Sequence, residues 1–287
     1  MDKNNVGLLG ATSLVGECIQ KQLLHRNWLI TAFSRQEIRN SHTHITWLQP
    51  ETNIPNIENK IAVWICAAPI WILADYFDLL LAYGIQRIVV LSSTSRFTKN
   101  DSTDQQEQFT AHLLMKSENQ LRAWAETHHV EWVILRPTLI YGMGRDKNIT
   151  EIARFILRFG FFPLLGAAKG LRQPIHANDV AAACILALEA LNLRNCTYNL
   201  TGGETLTYRD MVKRIFSALQ KKPRFIRVPL LLFQLIIPLL KQVPRYRNWT
   251  ADMAERMNQD LAFNSLDTQK DLRFSPGSFT LSAEDLP

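Results

Sequence analysis

The sequence has few of the features that stabilise secreted or metal-dependent proteins. It contains only four cysteines in 287 residues, and they are scattered without a CxxC pair. Isolated cysteines of this kind are typical of buried apolar side chains in a reducing compartment, so we expect no disulfide framework and no metal site. The polar start, MDKNN, does not resemble a signal peptide. Together these features predict a cytoplasmic globular protein.

No apolar run is long enough to predict a transmembrane span. The longest one, PLLLFQLIIPLL at residues 229–240, falls short of the roughly 18 residues required and has a proline within it. Basic stretches, KKPRFIR and KQVPRYR, stand on either side of this run. Two interpretations stay open, a buried pair of helices or a contact with a membrane surface.

The sequence also has no basic stripe interleaved with aromatic residues. Its 32 Lys and Arg are offset by 26 Asp and Glu, which leaves a formal net charge of +6. This balance is weak evidence for a nucleic-acid partner and fits a small anionic ligand at least as well. We therefore expect a small-molecule substrate and no nucleic acid. The sequence does not indicate an oligomeric state.

Short apolar runs alternate with helical patterns through the first half of the chain. The runs are almost continuously apolar, as in parallel strands that are covered on both faces. Strands are predicted at residues 6–9, 28–33, 45–48, 61–66, 88–91 and 132–135, and helices at 14–26, 72–83 and 105–128. This order predicts an α/β fold, a Rossmann-type doubly wound parallel sheet.

The alternation stops after Tyr141. Residues 148–159 are predicted to be helical and 163–170 to be a loop, whereas a later helix is predicted to be capped by Asn178 or Asp179. A short strand, a Gly-Gly turn and a helix capped by Thr207 follow. We predict a large N-terminal Rossmann domain at residues 1–145, with 171–200 crossing back to it. Residues 146–170 and 201–287 then form a smaller C-terminal α+β substrate lobe.

The stretch GLLGATSLVG, residues 7–16, follows a strand and begins a helix, as a dinucleotide-binding turn does. Gly10 permits the tight turn, and Gly16 permits close packing of helix against strand. Ser13 stands where a glycine is usual, and its hydroxyl could donate to a phosphate. The predicted phosphate-binding residues are Gly10, Thr12, Ser13, Leu14 and Val15.

The end of the second strand indicates which dinucleotide is bound. A site for NAD usually has Asp or Glu there, to hold the ribose diol, but this strand ends in AFSRQ. Ser34 supplies a hydroxyl group and Arg35 a guanidinium group, and both suit a 2′-phosphate. The alternative is an ordinary surface arginine. We predict NADP(H) in preference to NAD(H).

Several blocks resemble the extended and atypical short-chain dehydrogenase/reductase superfamily, and in particular its NAD-dependent epimerase/dehydratase-like proteins. They are GATSLVG, LSSTS at 91–95, ILRPTLIYGMGRD at 134–146, RQPIHANDVAAA at 172–183 and YNLTGGETLTYRDM at 198–211. The resemblance implies cofactor contacts from Ala67, Ala68 and Pro137. It further implies that Thr94 holds a substrate oxygen, and that Tyr141, Arg145 and Arg172 contact the substrate. A surface salt bridge is an equally open role for Arg172.

The helix that should carry the family's Tyr-x-x-x-Lys pair, residues 105–128, contains no tyrosine. One register places Lys116 at the lysine position and His112 one turn before it, where histidine could act as the acid and base. The other register counts back from Glu118 and places Thr110 and Leu114 at the two positions. The second register is preferred, because it keeps the usual distance to Arg136. In that register the acid–base pair is absent.

Two functions follow from these patterns. The first is an NADP(H)-binding, epimerase/dehydratase-like oxidoreductase that acts on a small anionic substrate, such as a nucleotide sugar, without the usual tyrosine. The second is a catalytically inactive nucleotide-binding sensor or assembly protein, with residues 229–240 as its docking surface.

Overall fold

Seven parallel strands form the central sheet among the residues described by this computed structural model, which are 5–38, 42–50, 59–99, 102, 104–229 and 255–287. The strands of the chain are β1 (Asn5–Leu9), β2 (Leu29–Phe33), β3 (Ile45–Leu48), β4 (Val63–Cys66), β5 (Arg87–Leu91), β6 (Glu131–Pro137), β7 (Ile140–Tyr141), β8 (Phe162–Leu165), β9 (Leu171–Arg172), β10 (Ile175–His176), β11 (Cys196–Leu200), β12 (Leu206–Thr207) and β13 (Phe225–Val228). The sheet order is β11-β6-β5-β4-β1-β2-β3. This is a doubly wound order that reverses between β1 and β4, so the predicted fold class is confirmed.

Helices cover both faces of this sheet. They are α1 (Leu14–His25), α2 (Phe77–Ala82), α3 (Ser95–Thr98), α4 (Gln105–Thr127), α5 (Ile149–Phe159), α6 (Ala177–Glu189), α7 (Tyr208–Ala218) and α8 (Leu266–Leu272), with 3-10 helices at Ile70–Tyr76 and Ala283–Asp285. One apolar core lies between the sheet and the pair α1 and α6, and a second lies between the sheet and α4. The central strands β1, β4, β5 and β6 are buried on both faces, which explains their continuous apolar sequences, whereas the edge strand β3 is only partly buried.

A third core lies in the C-terminal part of the chain. It is formed by α5, α7 and β8, together with Tyr141 and Phe279, whose rings are 4.9 Å apart. The prediction of a loop at 163–170 is wrong for its first residues, because β8 pairs in parallel with β13. The partner strand is about 60 residues away in sequence, so neither strand could be recognised from its own short pattern.

The helix cap predicted at Asn178 or Asp179 is also corrected. The N-cap of α6 is His176, whose Nδ1 accepts a hydrogen bond from the Asn178 amide at 3.1 Å. Asp179 lies in the first turn, and its carboxylate accepts from the Gly277 amide. A histidine is an uncommon cap, whereas Asn and Asp are strongly preferred, and the prediction followed that preference. The cap predicted at Thr207 is confirmed.

The apolar run at 229–240 lies outside the described residues except for Pro229. Both interpretations of that run therefore stay predictions. Within the described ranges, no helix combines the length and the apolar content that a membrane span requires.

Candidate cofactor and active site

The turn between β1 and α1 has backbone geometry that only glycine fits. Gly10 has φ of +76°, and a Cβ atom there would lie 2.3 Å from the amide nitrogen of Ala68. A Cβ atom at Gly16 would lie 2.1 Å from the carbonyl oxygen of Gly10. The first glycine therefore lets β1 and β4 approach closely, and the second lets α1 pack against the turn.

Ser13 stabilises this turn through two hydrogen bonds. Its hydroxyl oxygen accepts from the Gly16 amide at 3.0 Å and so caps α1, and the hydroxyl donates to the carbonyl of Ala67 at 3.1 Å. Donation from this hydroxyl to a phosphate, as the sequence suggested, would require it to turn away from Ala67, and it stays a prediction. The amides of Leu14 and Val15 lie in the first turn of α1, where N–H groups have no helical acceptor. These amides can bind an anion.

A cavity of about 590 Å³ lies beside the turn, at the carboxyl ends of β1, β2 and β4. It is lined by six of the ten residues that were predicted to bind the cofactor, namely Gly10, Thr12, Ser13, Ser34, Arg35 and Ala68. The other four predicted residues, Leu14, Val15, Ala67 and Pro137, do not line it.

The sequence did not identify the apolar wall of this cavity. That wall includes Phe33 at the end of β2, and Ile72, Leu73 and Tyr76 from the 3-10 helix after β4. In a single sequence, such residues cannot be distinguished from core residues of an amphipathic helix. The cavity thus has one apolar side, and its edge formed by Ser34 and Arg35 is polar and suited to anions.

The polar edge of the cavity is formed by the end of β2. The hydroxyl of Ser34 accepts a hydrogen bond from the Gln36 amide at 3.1 Å, which shapes the turn there. Arg35 is exposed, and its guanidinium has no ion pair with any residue that the structure describes. A solvated, unpaired guanidinium at the mouth of an apolar cavity suits a phosphate group.

Thr94 lies in the loop between β5 and α3 and is 5% exposed. Its hydroxyl donates to the carbonyl of Pro137 at 3.2 Å, which joins the ends of β5 and β6. Parallel strands end at the same edge of the sheet, so this loop follows the same edge as the glycine turn. The hydroxyl is occupied as a donor, while no described residue donates a hydrogen bond to its oxygen.

Helix α4 turns His112 and Lys116 to the surface. Both side chains are exposed, whereas Leu114, two residues away from each, is buried in the core under the sheet. Thr110 is half-buried and donates its hydroxyl to the carbonyl of Gln106. The helix therefore presents Thr110 and Leu114 on its inner side, which agrees with the preferred register. The roles predicted for His112 and Lys116 stay predictions.

The inner side of α4 also carries Glu118, which is completely buried. Arg136 donates to both carboxylate oxygens, at 3.0 and 2.6 Å, and Ser92 donates at 2.6 Å. Arg96 forms a further ion pair with the same group, and Arg122 lies 3.6 Å away. Burial by itself raises the pKa of Glu118, but the hydrogen bonds from Arg136 and Ser92 outweigh it and hold the pKa below its usual value.

The three residues predicted to contact substrate have partners within the protein. Tyr141 is 2% exposed and donates its hydroxyl to the Thr280 carbonyl at 3.0 Å, and burial raises its pKa to about 12. Arg145 is half-exposed and pairs with Glu17 of α1 at 2.6 Å. Arg172 is buried and donates to backbone carbonyl groups at 171, 256 and 259. The three side chains therefore bind to different parts of the protein, Arg145 to α1, Tyr141 to the backbone at 280 and Arg172 to the backbone at 256 and 259, and their substrate contacts stay predictions.

Comparison with known proteins identifies the family to which this geometry corresponds. Residues 72–201 match the model of the NAD dependent epimerase/dehydratase family. The mitochondrial NADH dehydrogenase [ubiquinone] 1 alpha subcomplex subunit 9 of Arabidopsis thaliana is 29% identical over 100 residues, or 34% of this chain and 25% of that protein. The UDP-glucose 4-epimerase of Vibrio cholerae is 22% identical over 161 residues, or 56% of this chain and 47% of that enzyme. The chain thus spans less than half the length of both relatives.

A solved structure supports the fold along nearly the whole chain. MoeE5, in complex with UDP-glucuronic acid and NAD, superimposes with a TM-score of 0.70 at 15% identity, covering 98% of this chain and 96% of that one. At this identity the likeness is evidence for the fold alone. The resemblance indicated by the motifs is thus confirmed: residues 72–201 match the NAD dependent epimerase/dehydratase family, and the fold along nearly the whole chain is the one seen in MoeE5.

Proposed function

We propose that the protein binds NADP(H), with the adenosine end of the dinucleotide in the 590 Å³ cavity. The observation that carries this proposal is that one cavity is lined by both the glycine turn and the unpaired Arg35. The residues fit such a ligand in three ways. Phe33, Ile72 and Tyr76 offer an apolar surface to an aromatic base, the first turn of α1 offers amides to the pyrophosphate, and Ser34 with Arg35 suits the 2′-phosphate.

We further propose that the protein is an oxidoreductase for a small anionic substrate of the nucleotide-sugar class. Support comes from the relative that is a UDP-glucose 4-epimerase and from MoeE5, which holds UDP-glucuronic acid and NAD. When bound, the nicotinamide would supply hydride chemistry. Thr94 would hold a substrate oxygen after its hydroxyl turns away from Pro137. The C-terminal core around α5 and α7 would form the substrate lobe, with the boundary near residue 145.

A second candidate function, a nucleotide-binding sensor without hydride chemistry, is favoured by one specific observation. The inner side of α4 carries Thr110 and Leu114, and the exposed Lys116 lies on another side of the helix. Leucine has no charge with which to lower the pKa of a neighbouring acid, and threonine is a poor acid and base near neutral pH. In this function, cofactor occupancy alone is the signal.

The substitution Arg35→Glu tests the 2′-phosphate assignment. It should weaken NADPH binding by about tenfold to a hundredfold, because a charge-assisted pair becomes a repulsion. NADH binding should change little, since NADH has no phosphate at that position. Isothermal titration with both nucleotides gives the two affinities, and Lys270→Glu, an equal charge change on α8, is the control. Equal losses for NADPH and NADH would contradict the assignment.

Turnover separates the two candidate functions. The purified protein is first titrated with NADPH and then incubated with NADP⁺ and UDP-sugars, while absorbance of reduced nicotinamide is followed. Oxidation that Thr94→Val abolishes, with NADPH affinity retained, supports the oxidoreductase. Binding without oxidation of UDP-sugars by NADP⁺ and without reduction of carbonyl compounds by NADPH supports the sensor.

A further inference from the structure

One surface of the molecule combines exposed apolar side chains with unpaired positive charge. It is formed by the end of α5, the turn after it and the ribbon of β8 and β13, and we call it the β8–β13 face. Its apolar members are Phe159, Phe161 and Ile226, and its basic members are Arg158, Lys221, Lys222 and Arg224, while Arg227, the residue after Ile226 in β13, lies on the other side of the ribbon. None of these residues lines the cofactor cavity.

The aromatic part of the face is held together by a sharp turn. Gly160 ends α5 with φ of +74°, and the chain turns back so that the ring of Phe161 lies 6.3 Å from that of Phe159. Phe159 is 37% exposed, and the guanidinium of Arg158 lies 5.2 Å from its ring centroid. In β13, Ile226 is 49% exposed and pairs with Pro163, two residues after Phe161. Large apolar side chains are thus kept in water beside cations.

The two segments that contribute the face carry more net positive charge than the rest of the chain. Residues 149–166 and 205–229 contain nine Lys and Arg but only two Asp and Glu, whereas the whole chain has 32 and 26. The surplus in these two segments is larger than the net charge of +6, so the remainder of the chain is close to neutral. Moreover, Arg158, Lys221, Lys222, Arg224 and Arg227 form no ion pair with any described residue.

We propose that the β8–β13 face binds the surface of an anionic lipid bilayer. Unpaired Lys and Arg near such a surface are attracted to lipid phosphate and carboxylate groups, and exposed Phe and Ile gain free energy by entering the boundary of the acyl chains. Single-stranded nucleic acid fits less well, because it requires aromatic faces that are free to stack on bases. Here the ring of Phe159 is covered by Arg158, and Ile226 offers no stacking surface.

Flotation of the full chain with vesicles tests the proposal. The chain should float with vesicles of phosphatidylcholine and phosphatidylserine, should float much less with phosphatidylcholine alone, and should be released by salt. Lys222→Glu combined with Arg224→Glu should lower the partition coefficient by about tenfold or more, because two attractions to the anionic surface become repulsions. Lys21→Glu with Lys270→Glu makes the same charge change at exposed positions of α1 and α8, and it should have little effect.

The apolar contribution is tested with a matched pair of substitutions. Phe159→Ser should weaken binding to the mixed vesicles at high salt, where the electrostatic part is screened. Leu266→Ser, which removes an even more exposed apolar side chain from α8, should not. The proposal would be overturned if the two charge-reversed variants changed flotation equally. It would also be overturned if the chain bound single-stranded RNA but did not bind the mixed vesicles. NADPH titration of each variant reports on the cofactor site separately, so failure of either proposal leaves the other to be judged independently.

Discussion

Gly10 and Gly160 have nearly the same backbone conformation but different surroundings. Their φ angles are +76° and +74°, which any L-residue adopts only with strain. A Cβ atom at Gly10 would collide with the backbone of Ala68, whereas one at Gly160 would meet nothing within 4 Å. Gly160 is therefore needed only for its backbone conformation, whereas Gly10 is needed both for its conformation and for the close approach of Ala68.

Gly10→Ala should destabilise the protein by about 2 kcal/mol more than Gly160→Ala does. Both substitutions incur the left-handed strain, of roughly 1–2 kcal/mol, but only the first adds overpacking against a strand end. Urea unfolding at neutral pH gives the two free energies, and NADPH titration shows whether Gly10→Ala alone loses nucleotide. Equal destabilisation by both would mean that β1 and β4 can move apart at no cost.

The residue types predicted the glycine turn well, but they predicted the hydrogen-bond partners of individual polar side chains poorly. Gly10 and Gly16 have the roles that their spacing suggested. The hydroxyl of Ser13 donates to the carbonyl of Ala67, 54 residues away, and His176 caps α6 where Asn178 or Asp179 was predicted. The first bond joins groups that become neighbours only in the folded chain, and the second uses a residue type that is uncommon at helix caps, so neither could be predicted from residue identity.

At the scale of elements, α4 is held to the sheet by the buried Glu118. This carboxylate accepts from Arg136 of β6 and from Ser92 after β5, so it joins three elements at the edge that carries the candidate active site. Removing its charge leaves the guanidinium groups of Arg136 and Arg96 without their counter-ion. Removing one partner of a buried ion pair destabilises a protein by more than the intact pair stabilises it, because the remaining charge is left buried without a partner.

Glu118→Gln should therefore destabilise the protein by about 3–5 kcal/mol at pH 7. Because the folded pKa of Glu118 is below its usual value, the stabilisation is complete above the ordinary pKa of 4.5 and is lost as pH falls through the folded value. The difference in free energy of unfolding between the wild type and Glu118→Gln should accordingly become smaller at acidic pH. Chemical unfolding from pH 7 to pH 3 measures it, with the exposed Glu126→Gln of the same helix as control. A difference that does not change with pH would contradict the ionised state of Glu118.

Helices and strands could be predicted where the sequence of each one carries its own pattern. The six strands predicted for the sheet were found. Four of them, β1, β4, β5 and β6, are buried on both faces, as their apolar runs indicated. The helix predicted at 72–83 begins instead as a 3-10 helix, and its inward residues line the cavity. The β8–β13 pair was missed, because its strands have four residues each and depend on one another across the C-terminal lobe.

At the scale of the whole molecule, the segment 255–287 connects the Rossmann sheet to the C-terminal core. Leu272 and Phe274 belong to the core beneath α1 and α6, and Phe279 belongs to the core around α5 and α7. Near the end of the segment, Asp285 contacts Met143, just after β7, and His176, at the junction of β10 and α6. The stability of both parts thus depends on contacts made by one C-terminal segment.

Asp285 concentrates these contacts in one carboxylate. One oxygen accepts from the Met143 amide and lies 3.0 Å from His176 Nε2, and the other accepts from the amide and hydroxyl of Ser282. Burial raises the pKa of Asp285, but the hydrogen bonds from His176 and Ser282 outweigh it and hold the pKa below the ordinary 3.8. Since Nδ1 of His176 accepts the Asn178 amide, its Nε2 carries the hydrogen that is donated to Asp285.

Asp285→Asn should lower the free energy of unfolding by about 2–3 kcal/mol at pH 7, because an amide oxygen replaces only part of the acceptor capacity and its NH₂ group faces donors. Glu284→Gln, at the exposed neighbouring position, should have little effect. The wild-type advantage should be complete above pH 3.8 and should disappear as pH falls through the lowered pKa of Asp285. Urea unfolding at pH 7 and pH 3 tests both statements. If Asp285→Asn were as stable as Glu284→Gln at pH 7, the C-terminal segment would not depend on this carboxylate, and the connection between the two cores would have to rest on Leu272, Phe274 and Phe279 alone.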